Sequence, residues 1–160
     1  FGCQYVLVGH SERRQNQGET NAIVAQKAKR AQAAGLIPVV CVGEPSHIRA
    51  EGHAIPYVRD QILSSCEDLG EGLVIAYEPV WAIGSGEAAS AHSASEMHLE
   101  IKAVLAGRYP ELRVLYGGSV KPDNCAAFTT ATGIDGLLVG GASLSAESFW
   151  NICASAKGAE

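Results

Sequence analysis

The chain has 160 residues, of which 47% are hydrophobic and 18% charged, and its formal net charge is −5. We expect residues 1–160 to form a single domain, because this length provides one sizeable core and is short for two ordinary domains. The mild negative charge, without a basic stripe, disfavours nucleic acid and acidic membranes as partners. No apolar run approaches the roughly 18 residues that a membrane span requires.

The cysteines indicate reduced thiols. They are odd in number, widely spaced and without a Cys-x-x-Cys pair: Cys3, Cys41, Cys66, Cys125 and Cys153. This usage predicts a cytoplasmic protein without a disulfide framework or a metal site. The sequence opens on Phe1 without a signal peptide, and its only methionine is Met97. We therefore expect it to be part of a longer polypeptide.

Apolar runs alternate with amphipathic segments along the whole chain. The runs predict five strands, at 5–8, 37–42, 73–77, 112–116 and 134–139. Helical patterns follow them, at 20–34, 56–68, 94–106, 122–131 and 146–156. The segment Ser93-Ala-Ser-Glu96 predicts a capping box at the start of the third helix. Five successive βα units predict a parallel sheet, either part of a barrel or an open flavodoxin-like sheet.

The third strand ends on an ionisable residue, Glu78. A carboxylate there lies at the edge of a parallel sheet where ligands bind. Pro79 ends the strand, and the glycines Gly84 and Gly86 allow the following loop to move. A base followed by a lid predicts proton abstraction away from water, whereas a Glu in isolation at this place would be a surface residue.

Four segments resemble the triosephosphate isomerase family, in the family's order and over nearly the whole chain. They are Gly9-His10-Ser11-Glu12-Arg13-Arg14, Glu78-Pro79-Val80-Trp81-Ala82-Ile83-Gly84, Tyr116-Gly117-Gly118-Ser119-Val120 and Asp135–Leu144. The resemblance implies an α/β fold that is a partial TIM (β/α)8 barrel, its five βα units matching strands four to eight. It favours this partial barrel over the flavodoxin-like sheet.

The resemblance also implies an activity. Family members interconvert dihydroxyacetone phosphate and D-glyceraldehyde 3-phosphate through an enediolate, in glycolysis and gluconeogenesis, as cytoplasmic homodimers without cofactor or metal. By this resemblance Glu78 is the general base, and His10, as a neutral imidazole, donates a hydrogen bond to the substrate oxygen. Supporting roles fall to Ser11, Glu12 and Cys41.

Phosphate binding and lid closure are assigned in the same way. Glycine-rich turns let backbone N–H groups approach an anion, which predicts a phosphate site at Gly84, Ser119, Gly140 and Gly141. The lid comprises Pro79, Val80, Trp81, Ala82 and Ile83, and Tyr116 would latch it closed.

A second hypothesis comes from a lysine that the family's site takes from its first strand, which has no counterpart in this sequence. A non-catalytic phosphate-binding half-barrel or assembly fragment is therefore the alternative. Among the remaining residues, we expect Glu44 to support the base, Arg13 to pair with Glu19, and His98 to be exposed or capping. Phe149 and Trp150 are expected on a helix packing face.

Overall fold

The computed structural model describes residues 1–83 and 88–157. The strands β1 to β5 span Tyr5–Val8, Ile37–Val42, Val74–Tyr77, Arg113–Tyr116 and Gly136–Leu137. The helices α1 to α7 span Ser11–Gln17, Asn21–Ala33, Ser46–Ala50, Ala54–Cys66, Ala91–Leu105, Cys125–Thr129 and Ala146–Lys157. Short 3₁₀ turns follow β3 at Val80–Ala82 and β5 at Gly141–Leu144.

The strands form one parallel sheet in chain order, β1-β2-β3-β4-β5. Each crossover therefore carries the chain to the adjacent place in the sheet, and all strands end at the same edge. The edge strands β1 and β5 do not pair with each other within the described residues, so the sheet is open. This confirms the predicted α/β class with five parallel strands, the arrangement of a partial TIM barrel.

Both faces of the central strands are buried, as the continuous apolar runs predict. One set of alternating residues packs against the helices; it includes Val40, Val42, Ile75 and Tyr77. The other set forms a second cluster of Val39, Cys41, Val74 and Ala76, joined by Leu115 and Leu138. The period of two along a strand thus divides the side chains between two apolar layers.

The edge strand β1 is less covered than its neighbours. Its residues Tyr5 and Leu7 are each 46% exposed, although Leu7 pairs in register with the buried Val39. The aromatic residues of α7 are also exposed, Phe149 at 43% and Trp150 at 73%. The prediction that they form a packing face is wrong within the described chain.

Two short helices, α1 and α3, were not predicted. The first, α1, has no apolar stripe, so its periodicity gives no signal. It is specified by its ends: His10 Nδ1 accepts a hydrogen bond from the Glu12 N–H at 3.4 Å, and Gly18 closes it with φ +65°. The capping box is misplaced as well, because Ser90, not Ser93, caps α5 by accepting from the Ser93 N–H.

His98 lies in the core, so its prediction as an exposed or capping residue is wrong. It is 0% exposed on the buried face of α5. Its ring meets Tyr77 edge-on, with centroids 5.8 Å apart, and lies 6.4 Å from the ring of Tyr116. Burial lowers the pKa of His98 to about 4, so the ring is neutral at pH 7.

The folded protein should lose stability as the pH falls from about 6.5 towards 4. In the unfolded chain His98 has its ordinary pKa of 6.5, so it binds a proton in this pH range, whereas in the folded state it stays neutral. Between pH 7 and pH 5, His98 should lower the free energy of unfolding by about 2 kcal/mol. Urea unfolding at both pH values measures it. His98→Leu should lose this component, whereas His92→Leu, at an exposed position of the same helix, should keep it. Equal pH dependence in both variants would assign the loss to another group.

Candidate active site

The sheet brings His10 and Glu78 together. His10 lies two residues after β1 and Glu78 directly after β3, and parallel strands place both at the same edge. Nε2 of His10 is 2.9 Å from Oε1 of Glu78. Glu78 is only 2% exposed, whereas one third of the His10 side chain is accessible. A buried carboxylate thus faces an imidazole that solvent and small molecules can reach.

The hydrogen bonds of His10 define its tautomer. Because Nδ1 accepts from the Glu12 N–H, a neutral ring carries its hydrogen on Nε2. That nitrogen faces Glu78, so His10 donates and the carboxylate accepts. The other oxygen of Glu78, Oε2, accepts from the backbone N–H of Ser11 at 3.0 Å. Ser11 therefore contacts the carboxylate through its backbone, and Glu12 contacts His10 in the same way.

The pKa of Glu78 is raised above that of an ordinary glutamate. Burial is the main cause because it penalises the charged form. His10, the Ser11 N–H and Arg14 act in the opposite direction, and the charge of Glu12 adds to the increase. A carboxylate with a raised pKa is a stronger base near neutral pH, which is the property that proton abstraction from carbon requires.

Two glycines allow the backbone to close around Glu78. A Cβ on Gly43, after β2, would lie 1.7 Å from the carbonyl oxygen of Glu78. A Cβ on Gly117, after β4, would lie 3.1 Å from its Cγ. On the helix side, the Oε1 of Gln61 accepts from the Gly43 N–H at 2.8 Å. No sequence motif predicts a role for Gly43 or Gln61.

Gly43→Ala should destabilise the protein by about 3 kcal/mol, because the new methyl group collides with backbone that is held on both sides. Gly107→Ala is the control, since a Cβ there meets nothing within 4 Å. It should change stability by about 0.5 kcal/mol or less. Urea unfolding of both variants measures the difference, and equal stabilities would contradict the close approach of Gly43 to Glu78.

A cavity of about 570 Å³ opens beside the His10–Glu78 pair. Loops after β3, β4 and β5 line it, and they contain many of the predicted site residues: Ile83, Ser119, Gly140 and Gly141. The glycines contribute backbone without side chains, which suits an anion. Gly84, predicted as a phosphate ligand, and Gly86 lie outside the described residues.

The beginning of the predicted lid is anchored to a second buried carboxylate, Glu44. Oε1 of Glu44 accepts from the indole Nε1 of Trp81 at 2.9 Å and from Nη1 of Arg49 at 3.0 Å. The Tyr77 hydroxyl lies 3.1 Å from both oxygens, and the Arg49 guanidinium lies 4.6 Å from the Trp81 ring centroid. These contacts differ from the predicted support of the base, because Glu44 holds the lid segment instead.

The other predicted lid and support residues lie around the cavity instead of lining it. Pro79 and Ala82 are buried and Val80 is half-buried. Cys41 is fully buried in β2, and burial together with the charge of Glu78 raises its thiol pKa well above the usual value. Tyr116 is buried and stacked on Phe128, with ring centroids 4.0 Å apart. Burial raises the pKa of Tyr116 to about 12, and the backbone of Ala89, beyond the lid, opposes the increase.

Membrane-spanning helices and metal-binding clusters are both absent from the described residues. Across residues 1–83 and 88–157, no helix combines the length and apolar character needed to cross a membrane. Within the same residues, no group of three or more His, Cys, Asp or Glu side chains is arranged to hold a metal ion.

The predicted pair of Arg13 and Glu19 is present, with Lys27 as a second partner of the same carboxylate.

Comparison with known proteins identifies the family. The family model for triosephosphate isomerase matches residues 1–156. The chain belongs to the triosephosphate isomerase family. It is 51% identical over 158 residues to triosephosphate isomerase from Thermus thermophilus, covering 93% of this chain and 63% of that protein. The Marinobacter nauticus enzyme is 50% identical over 162 residues, covering 97% and 64%, and that of Deinococcus radiodurans 48% over 147 residues, covering 89% and 60%.

The chain therefore spans between three fifths and two thirds of the length of these triosephosphate isomerases. The family resemblance derived from the four sequence segments is confirmed.

Proposed function

We propose that the protein containing this chain interconverts dihydroxyacetone phosphate and D-glyceraldehyde 3-phosphate, with Glu78 as base and His10 as hydrogen-bond donor. The observation that carries the proposal is the 2.9 Å contact between the buried carboxylate and the Nε2 of a ring that accepts at Nδ1. The names of the relatives support the same substrates.

The reaction needs a proton to leave one carbon and return to its neighbour. The Glu78 carboxylate takes the proton from the first carbon, which leaves an enediolate whose charge lies on oxygen. The Nε2–H of His10 donates to that oxygen and gives it its proton, and Nε2 takes the hydroxyl proton from the neighbouring oxygen. Glu78 then returns its proton to the adjacent carbon, while the deprotonated oxygen becomes the new carbonyl. In this structure His10 and Glu78 are hydrogen-bonded to each other. When the substrate binds, its carbons and oxygens enter between the two side chains and replace this hydrogen bond with their own contacts.

The cavity's loops would hold the phosphate. Ser119, Gly140 and Gly141 line the same space as the base, and a volume of about 570 Å³ lies in the range of small-molecule sites. Gly84 is proposed to contribute from the lid. Ile83 lines the cavity and would cover the base when the lid closes, excluding water from the enediolate.

We further propose that the protein works in the cytoplasm as a homodimer in glycolysis and gluconeogenesis, as family members do. One domain for residues 1–160 is proposed because a single apolar cluster includes both Val8 and Ile152. The alternative function is a phosphate-binding half-barrel without catalysis. One observation favours it, namely that β1 and β5 each have one edge without a partner strand among residues 1–83 and 88–157. A closed barrel of this type has eight strands.

Turnover tests the proposal. We would assay isomerisation in both directions with the 160-residue chain and with a chimera in which residues 1–156 replace the matching segment of the Thermus thermophilus relative. An active chimera supports catalysis by the residues of this chain. A folded chimera that binds a phosphate analogue without turnover would support the non-catalytic alternative instead.

Glu78→Gln in the chimera should lower kcat by about 10³-fold, because the amide keeps the size of the side chain but cannot accept the proton. Phosphate-analogue binding should change little. Glu96→Gln, at an exposed position of α5, is the control and should keep normal turnover. Turnover close to normal in Glu78→Gln would show that another residue is the base.

The same substitution should raise the thermal stability of the 160-residue chain above neutral pH. The folded state raises the pKa of Glu78, so ionisation of this residue costs folding free energy once the pH exceeds that pKa. Gln removes the cost. Scanning calorimetry at pH 5 and pH 8 measures it: the gain over the parent should be larger at pH 8, and a larger gain at pH 5 would contradict the raised pKa.

A further inference from the structure

Arg14 connects three backbone and side-chain groups that lie beneath the His10–Glu78 pair. Its Nε donates to the carbonyl oxygen of Gly9 at 2.7 Å, and one terminal nitrogen donates to the carbonyl oxygen of Cys41 at 3.1 Å. The other terminal nitrogen donates to Oδ1 of Asn21 on α2 at 2.8 Å. The guanidinium is therefore held from three sides.

These contacts lie at the place where β1 and β2 stop pairing. The last register pair of the two strands is Val8 and Val40. At the next position, Gly9 and Cys41 are joined by the guanidinium of Arg14 through their carbonyl groups. Arg14 thus continues the connection between the strands one residue further towards the site.

The position of Gly9 matters because Gly9 directly precedes His10. Gly9 has φ +70°, and a Cβ there would lie 2.8 Å from Val24 and 3.0 Å from Arg14 itself, so the turn into His10 is tightly enclosed. On the other side, the carbonyl oxygen of Val42, next to Cys41, accepts from the Glu78 N–H at 2.7 Å. A short chain of hydrogen bonds therefore runs from the backbone before His10, through Arg14 and β2, to the backbone of Glu78.

We propose that Arg14 is a positioning residue that sets the distance and orientation between His10 and Glu78. This rests on the proposed function of the pair and adds a residue that does not touch the cavity. Arg14 is absent from the cavity lining, which is why it acts through the backbone and not on substrate.

The charge of Arg14 supports the same role. It lowers the pKa of Glu78 against the effect of burial. The other groups that influence this carboxyl are His10 and the Ser11 N–H, which lower its pKa, and Glu12, which raises it; the Cys41 thiol interacts with it from β2. From the loop after β4, Gly117 approaches the Glu78 side chain without a side chain of its own, and Lys121 lines the same cavity.

Two substitutions separate geometry from charge. Arg14→Lys keeps the positive charge but loses the planar fork that joins two carbonyl groups. Arg14→Met loses both. The control is Arg108→Met. Like Arg14, Arg108 donates to three oxygen atoms, in its case the backbone carbonyls of Cys66, Glu67 and Leu69, but it lies at the opposite end of the sheet.

In the chimera, Arg14→Lys should lower kcat by roughly 10- to 100-fold with a smaller change in KM, since a displaced catalytic group loses alignment more than binding. The acid limb of its kcat/KM profile should stay where it is. Arg14→Met should show a similar or larger loss of kcat and an acid limb moved to higher pH. Arg108→Met should lose stability while keeping kcat and the pH profile. An unchanged kcat in Arg14→Lys, or the same acid-limb shift in Arg108→Met, would overturn the proposal.

A second measurement does not depend on turnover. In the 160-residue chain, the ¹⁵N–¹H signal of His10 Nε2 and the ¹³C signal of the Glu78 carboxyl, assigned with Glu78→Gln, report on the pair directly. Arg14→Lys should shift the Nε2–H signal towards that of a ring without its carboxylate partner, and Arg14→Met should raise the carboxyl pKa. Unchanged signals would overturn the proposal, whereas an inactive parent with these shifts would contradict only the proposed function.

Discussion

The desolvation of Glu78 is the constraint around which the site is built. A buried carboxylate is costly unless hydrogen-bond donors surround it, and here the donors are an imidazole and one backbone N–H. Few donors leave the pKa of Glu78 raised, which preserves basicity at the expense of stability. The close approach of Gly43 and Gly117 follows from the same constraint, because neighbouring backbone must exclude water without adding side chains.

Glu44, the residue after Gly43, shows the opposite arrangement. It is also completely buried, yet Tyr77, Trp81 and Arg49 all donate to it. A carboxylate with this many donors is a fixed anchor, suited to holding the first turn of the lid. Both residues are buried glutamates, and they differ in the number of donors that surround each carboxylate.

The sequence predicted the features that depend on local patterns. Apolar runs located all five strands, and strand-end positions placed His10 and Glu78 at one edge of the sheet. The polar helix α1 was missed because its ends, and not its periodicity, specify it. The burial of His98 was missed because nothing in its neighbours along the chain shows that Tyr77 and Tyr116 enclose it. Contacts such as Arg14 with Cys41 depend on tertiary register, which a single sequence does not display.

The strand order has a consequence for how the site is assembled as the chain is synthesised. Every strand pairs with its predecessor in the chain, Tyr5 with Ile37, Val39 with Val74, Val74 with Arg113 and Leu115 with Gly136. Pairings between consecutive strands close smaller loops than pairings between strands far apart in the chain, and they can form one after another from the N-terminal side. The His10–Glu78 pair needs only β1 to β3, whereas the glycine loops of the cavity require β4 and β5. The growing chain can therefore bring His10 and Glu78 together before the cavity beside them is complete.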